Sequence, residues 1–350
     1  MIGLRIIGGF FAILLLYWIF INFRRSKIGR PDFIFLLLLS VFLLSVTVYP
    51  PISNILVGIL SIKALQYQRI IAILIASNFI LFINFICIRT NTRNLNISFD
   101  LLVRDISKRD FIENNQGKPI HPILVVIPVF NEKKNLQKLL PLMPEKIQSY
   151  PLSVLVVDDG STDGTDDIVR ELGFPLVRNR INRGGGAALR LGYDIANDFG
   201  ADIIVTMDGD NQHDPDEIER LLQPLIADQC DIVVGSRILG KNLSPSRFRL
   251  IGVYVFNYLI RFLTGVRITD CSSGFRAFRM ESVSSLMLIQ DQYHTSEFII
   301  EATKMRLKIQ EVPITFKSRY LGASKKGPNW AYALRFLSVI ITTWFRKRKR

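Results

Sequence analysis

Two aspartates, Asp208 and Asp210, follow an apolar run at 203–205 that predicts a buried strand. Open α/β sheets bind ligands at the carboxyl ends of their strands, so both carboxylates are expected at a binding edge. Together with the amide of Gln212 they offer hard oxygen ligands for Mg²⁺ or Mn²⁺. Such a metal neutralises the charge of a departing diphosphate. The alternative for this segment alone is a polar loop leading into a helix that starts at Asp214.

Two apolar runs upstream end in polar loops of the same kind. The run 125–129 leads into Glu132, and the run 154–157 leads into Asp158 and Asp159. A Gly-rich turn follows the second pair, and its Ser, Thr and Asp residues are preferred helix N-caps. Three strands that bring acid-rich loops to one edge predict a nucleotide site, in which carboxylates accept hydrogen bonds from a base and a ribose.

Later motifs extend this pattern. They are the Gly-rich segment 182–190, a strand 231–237 that ends in an arginine, the Asp-Cys-Ser-Ser-Gly-Phe-Arg segment 270–276, the Glu-Val-Pro sequence 311–313, and Arg-x-x-Gly-x-Ser-Lys at 319–325. From about Pro122 to Lys326 the chain resembles the family-2 glycosyltransferases of GT-A fold. It is most similar to the branch of dolichyl-phosphate mannose synthases and bacterial polyprenyl-phosphate glycosyltransferases. It departs from the family pattern at Gly185, where many members have lysine.

The resemblance implies an α/β fold, a Rossmann-like, mostly parallel sheet with helices on both faces. It also implies an inverting hexosyltransferase that moves a sugar from a UDP- or GDP-linked donor to polyprenyl phosphate, either undecaprenyl or dolichyl. The nucleotide-sugar residues that it implies are Pro128, Phe130, Glu132, Asp158, Asp159, Arg183, Asp208 and Gly209.

The proposed acceptor sets its own chemical requirements. A phosphate monoester has a second pKa of about 6 and is largely dianionic at neutral pH, so it attacks without a general base. It does need cations, and guanidinium groups bind phosphate bidentately. The candidates for holding it are Arg237, Arg247, Arg249, Arg319 and Lys325. We therefore predict Asp208, Asp210 and Arg237 as the catalytic residues, with the metal on Asp208, Asp210 and Gln212.

The first quarter of the chain predicts a membrane module. Apolar runs at 6–23, 33–49 and 70–88 carry no charge and are about long enough to cross a bilayer, whereas the run 52–62 is too short. Basic residues concentrate after the first and third runs, which predicts a cytoplasmic catalytic domain and an external N-terminus in a multi-pass cell-membrane protein. Copies of the chain can associate through this module.

The predicted boundaries are a membrane module at 1–92, a connector at 93–119, a glycosyltransferase domain at 120–327 and a C-terminal amphipathic helix with a basic tail at 328–350. Within the domain, 248–266 predicts a helix lying on the membrane. The net charge of +14 is concentrated near the spans and in the tail, which favours anionic lipid over nucleic acid as a partner. Three cysteines without paired spacing indicate a reducing compartment.

Two other classes of function remain open. A glycosyltransferase acting on a sugar or lipid hydroxyl, such as a polysaccharide or glycolipid synthase, would use the same nucleotide site. A processive synthase needs a Gln-x-x-Arg-Trp segment, which this sequence lacks. A non-catalytic membrane scaffold would explain the apolar module but has no need for the Asp-x-Asp pair with its following glutamine.

Overall fold

The computed structural model describes residues 2–25, 28, 30–49, 68–114, 120–243, 247–319 and 329–346. The chain divides into two compact units. One comprises Met1–Ser98 and Phe345–Arg350, and the other comprises Phe99–Trp344.

The first unit is helical. Helices α1 (Ile2–Arg24), α2 (Arg30–Val48) and the first part of α3 (Gln68–Asn114) each contain one of the three predicted spans. Their buried side chains form one apolar cluster, which includes Leu15, Leu36 and Ile86. Within the described residues one helical stretch, Ile7–Arg24, is long and apolar enough to cross a membrane. The three-span arrangement stays a prediction, and the run 52–62 lies outside the described residues.

The segment assigned to a connector from the sequence is helical as far as Asn114, because α3 continues through it without a break. Its last turns, from Phe99 onward, belong to the second compact unit. There Phe111 is buried in the core of that unit, in edge-to-face contact with Phe199 at 5.7 Å. The second compact unit therefore begins at Phe99, inside the segment that the sequence assigned to a connector.

A central mixed sheet organises the second unit. Its strands are β1 (Ile123–Val129), β2 (Lys146–Ile147), β3 (Tyr150–Asp158), β4 (Leu176–Arg178), β5 (Ile203–Thr206), β6 (Ile232–Asn242), β7 (Arg276–Arg279) and β8 (Ile309–Phe316). The order is β2-β3-β1-β5-β7-β6-β8, with β4 also paired to β3. Strands β4, β3, β1 and β5 run parallel, whereas β7 is antiparallel to both of its neighbours.

Helices cover both faces of this sheet, which confirms the predicted fold class. They are α4 (Lys133–Leu139), α5 (Thr165–Glu171), α6 (Gly185–Asp198), α7 (Ile218–Ile226), α8 (Arg247–Thr264), α9 (Met280–Ser284), α10 (His294–Lys304) and α11 (Asn329–Phe345). Successive side chains of a strand point to opposite faces. Leu124 and Val126 of β1 accordingly join one core cluster, whereas Val125 and Ile127 join the other.

Because β3, β1 and β5 are parallel, their carboxyl ends meet at one edge. The register pairs Val129 with Asp158 and Val126 with Thr206. The loops that follow these strands carry the three acid-rich motifs, so the sheet brings them together as the sequence predicts.

Candidate active site

The two aspartates of the Asp-x-Asp motif lie just past β5. Gly209 between them is buried, and a Cβ atom there would lie 2.6 Å from Cγ1 of Val129, so only glycine lets this loop cross β1 so closely. Side-chain exposure is 48% for Asp208 and 16% for Asp210. Burial, and then the charge of Asp208, raise the pKa of Asp210 to about 6. Two carboxylates held at this spacing leave a surplus of negative charge that a divalent cation would offset, so the donor set fits a hard metal.

Gln212 and His213 follow the two aspartates in this loop, and their side chains have different surroundings. The Gln212 amide nitrogen donates to the Lys317 carbonyl over 3.1 Å, so its amide oxygen is the atom suited to a cation. His213 is buried, with its ring 4.9 Å from that of Phe275 and its Nε2 atom 3.6 Å from the Asp208 carboxylate. In the described part of the chain, no three His, Cys, Asp or Glu side chains form a metal cluster. The predicted metal set of Asp208, Asp210 and Gln212 contains two such side chains and stays a prediction.

Arg319 connects this loop to the end of β1. Its guanidinium is ion-paired with Glu132, and its Nε atom lies 3.8 Å from the Asp210 carboxylate. The Oε2 atom of Glu132 also accepts from the Asn135 amide over 2.5 Å. A predicted acceptor-binding cation and a predicted nucleotide-binding carboxylate thus meet beside the Asp-x-Asp pair.

Asp158 and Asp159, at the end of β3, are both buried and engaged within the chain. Asp158 accepts from the backbone and hydroxyl of Ser161, and its Oδ2 atom lies 3.1 Å from Nε of Arg178. Asp159 accepts the backbone N–H groups of Arg183 and Gly184, at distances of 3.0 and 2.5 Å for its Oδ2 atom. Burial raises the pKa of Asp159 to about 6 despite these bonds. Both predicted nucleotide-site carboxylates therefore shape the loops of this edge.

The Gly-rich segment after Asp159 is packed tightly. Gly184 has a φ of +104°, and a Cβ atom there would lie 2.6 Å from the Asp291 carbonyl. The side chain of Arg183 lies against Asp291, with 3.3 Å between Nη2 and Oδ2, and its guanidinium stands over the Phe99 ring.

Arg237, within β6, is paired with Asp270. Its Nε atom lies 2.6 Å from Oδ2 and its Nη2 atom 3.2 Å from Oδ1, and the Asp270 side chain is fully buried. The guanidinium also stacks over Phe316 at 4.3 Å. Glu311, from the Glu-Val-Pro motif, accepts the Asp270 backbone N–H at 3.0 Å. Arg237 therefore has a carboxylate partner within the chain, and this pair fixes the orientation of its guanidinium.

For the remaining predicted site residues the structure gives less detail. Pro128 and Phe130 are half-buried at the end of β1, next to the edge where the acid-rich loops meet. Arg247 and Arg249 lie in the first turn of α8, where the structure describes only the backbone, and Lys325 lies outside the described residues.

Residue-by-residue reading of the sequence missed several partners at this edge. Arg178, which contacts both Asp158 and Asp166, comes from a three-residue strand with no motif. Asp291 and Asp100 approach the Gly-rich segment from positions about 100 residues away in the chain. Asp270 had a signal in the sequence, because it opens the Asp-Cys-Ser-Ser-Gly-Phe-Arg motif at 270–276, although no role was predicted for it.

Comparison with known proteins identifies the family to which the chain is similar. The model of glycosyl transferase family 2 matches residues 124–287. The UDP-N-acetylglucosamine–dolichyl-phosphate N-acetylglucosaminyltransferase of Methanococcus voltae is 35% identical, over 55% of this chain and 84% of its own length. The polyprenol monophosphomannose synthase of Mycolicibacterium smegmatis is also 35% identical, over 59% of this chain and 82% of its own length.

A solved structure shares the fold at lower identity. The glucosyl-3-phosphoglycerate synthase of Mycobacterium tuberculosis, crystallised with Mn²⁺, UDP and glucosyl-3-phosphoglycerate, superposes with a TM-score of 0.52. The two sequences are 19% identical, and the match covers 65% of this chain and 82% of the other.

Proposed function

The chain belongs to glycosyltransferase family 2, and on that basis we propose that it transfers a hexose from a UDP- or GDP-linked sugar to polyprenyl phosphate, with inversion at the anomeric carbon. The product is a lipid-linked monosaccharide. The GT-A fold and the glycosyltransferase class follow from the relatives and the solved structure. The acceptor, the metal and the roles of individual residues are our proposal.

The observation that carries the proposal is the Asp208–Asp210 pair at the carboxyl edge of the sheet. Burial, and then the charge of Asp208, raise the pKa of Asp210 to about 6 although His213 and Arg319 lower it, so ionising this carboxylate is costly and a divalent cation would offset the cost. Mg²⁺ or Mn²⁺ bound by Asp208, Asp210 and Gln212 would supply Lewis-acid stabilisation of the departing diphosphate. The protein groups hold the nucleotide beside it, with Glu132 and Asp159 at neighbouring strand ends.

The arginines near the Asp-x-Asp pair are suited to an acceptor whose nucleophile is a phosphate. Two arginines, Arg237 and Arg319, lie among the residues of this edge, and each is held by a carboxylate partner in the described structure. A dianionic phosphate needs such cations and needs no base. Arg319 contacts Glu132 and lies near Asp210, and we propose that it contacts both phosphates during transfer.

An apolar surface of α8 and α11 would bring this acceptor to the enzyme. The two helices pack together through the rings of Phe256 and Phe336, 4.4 Å apart. Tyr258 and Phe262 of α8 and Leu334 of α11 are exposed. Large apolar side chains on two adjoining helices are typical of contact with a bilayer. We propose that the catalytic unit lies at the cytoplasmic face of the cell membrane, where a polyprenyl phosphate presents its headgroup.

The test is transfer by the purified full-length protein. Radiolabelled UDP- and GDP-sugars are screened one at a time against polyprenyl phosphate, with Mg²⁺ or Mn²⁺ and with chelator. We expect one donor to label the lipid, only with a divalent metal present. Label appearing in a sugar or lipid hydroxyl instead would favour the alternative transferase, and full transfer in chelator would refute the metal assignment.

A further inference from the structure

Asp100 lies in the part of α3 that belongs to the catalytic unit, and its carboxylate contacts two buried arginines. Its Oδ1 atom is 2.9 Å from Nη2 of Arg190 and 3.4 Å from Nη2 of Arg183. The Arg190 side chain is only 7% exposed, and that of Arg183 is 12% exposed. Poorly exposed guanidinium groups need paired charge, and the Asp100 carboxylate supplies part of it to both arginines.

Asp291 holds the same two arginines from another direction. It is ion-paired with Arg190, and its Oδ2 atom lies 3.3 Å from Nη2 of Arg183. The Arg190 guanidinium also donates to the carbonyl of Gln290 over 2.9 Å. Arg104 of the same helix extends the cluster, because it pairs with Asp100 at 3.1 Å and with Asp194 at 2.6 Å. Three arginines and three aspartates therefore balance in charge, so removing one carboxylate leaves an uncompensated cation inside the cluster.

This cluster adjoins the Gly-rich loop. The backbone N–H groups of Arg183 and Gly184 bond to Asp159 at the end of β3, and the Gly186 N–H bonds to the Asp291 carbonyl at 2.8 Å. A Cβ atom on Gly186 would lie 2.0 Å from the Gln290 carbonyl, so no residue larger than glycine fits at this position. The loop 183–186 is therefore fixed by Asp159 at one end and by the cluster at the other.

We propose that Asp100 is a positioning residue for the nucleotide-sugar site, acting through Arg183 and Arg190 on the loop 183–186. The inference rests on the proposed function, because it assumes that this loop contacts the donor. Arg183 has a buried Nη1 atom with no hydrogen-bond partner among the described residues, which is the kind of donor that a bound nucleotide sugar would satisfy. A helix that begins at Gln68, in the apolar unit, thus supplies a residue on which donor binding depends.

The same helix offers a matched control. Asp105 is paired with Arg109 at 2.9 Å, but both side chains are more than half exposed. Exposed pairs contribute little to stability. Asp100→Asn and Asp105→Asn therefore remove the same charge from one helix, and only the first change reaches the cluster.

The experiment uses the full-length protein and compares both variants with the wild type. For Asp100→Asn we expect the KM for the nucleotide sugar to rise about tenfold, as for loss of one charge-assisted hydrogen bond. The KM for polyprenyl phosphate should stay within about twofold, and the amides of 183–186 should exchange hydrogen faster. Asp105→Asn should match the wild type in all three measurements. Equal donor KM values for the two variants, or equal losses toward donor and acceptor with unchanged amide exchange, would overturn the proposal.

A second variant keeps the proposal testable if Asp100→Asn folds poorly. Arg190→Lys keeps the charge but loses the planar fork, so it should raise the donor KM while the protein still folds. A donor KM equal to that of the wild type would count against the proposal. Absence of transfer by the wild type would instead refute the proposed function. In that event Asp100 is still tested by measuring the binding of UDP or GDP, with metal, to the wild type and to Asp100→Asn, together with amide exchange at 183–186.

Discussion

Replacing Arg237 tests how the acceptor phosphate is held, and the structure shows that alanine alone is a poor choice. The Asp270 carboxylate is fully buried and receives the guanidinium through Nε and Nη2. Removing one partner of a buried ion pair typically costs about 3–5 kcal/mol, because the other charge is left unpaired. Arg237→Ala should therefore lower the melting temperature as well as the activity.

The double variant Arg237→Ala/Asp270→Asn separates the two effects. Asparagine removes the stranded charge and still accepts the N–H groups that bond to Asp270, so we expect much of the stability to return. Loss of a charge-assisted contact to phosphate costs roughly 1.5–3 kcal/mol, which is about tenfold to a hundredfold in kcat/KM for polyprenyl phosphate. The KM for the nucleotide sugar should change far less. Arg237→Lys should keep part of the acceptor efficiency, since it retains the charge but not the fork.

The assay is initial rates against each substrate in turn, together with thermal unfolding of every variant. Asp270→Asn alone is the control, because it keeps the guanidinium while weakening its anchor. The reasoning would be refuted by a double variant that recovers stability and shows wild-type dependence on polyprenyl phosphate. Arg237 would then serve the packing of β6 and not the acceptor.

Three further outcomes are expected. Asp210→Ala should abolish transfer and also Mn²⁺ binding, measured by calorimetry, because it removes a metal ligand. The melting temperature should not fall, because the change also removes a carboxylate that Asp208 repels. Burial raises the pKa of Asp159 from 3.8 to about 6, so the folded protein keeps a proton that the unfolded chain loses. Ionised Asp159 then costs stability as pH rises from about 4 to 6, by about 3 kcal/mol in all. Asp159→Asn should reduce the difference in unfolding free energy between pH 4 and pH 7 by about that amount, whereas the contribution of Asp210, whose pKa is also raised, should remain. A reporter fused after Arg350 should behave as cytoplasmic, and an external signal would contradict the proposed membrane orientation.

The sequence determined the arrangement of the chemistry because local patterns report local structure. The apolar run 203–205 predicts a buried strand, and the polar residues that follow it are then expected at the end of that strand. Three such strands in parallel place Glu132, Asp159 and Asp208 at one edge, and the structure has them there. The motif order along the chain was enough to indicate the fold and the enzyme class.

Which partner each charged group takes was decided only by the tertiary structure. Arg237 is a strand-end arginine in the sequence, but whether it meets Asp270 depends on how β6 packs beside the loop before β7. Asp100 is one more acidic residue of a polar helix in the sequence, and its ion pair with Arg190 of α6 forms only because α3 runs on unbroken through this segment. Charge pairing across 90 or more residues leaves no period or spacing in a sequence. Such pairing depends on how the core packs. The physical reason is that a buried charge must be paired, and its partner is the opposite charge that packing brings close to it.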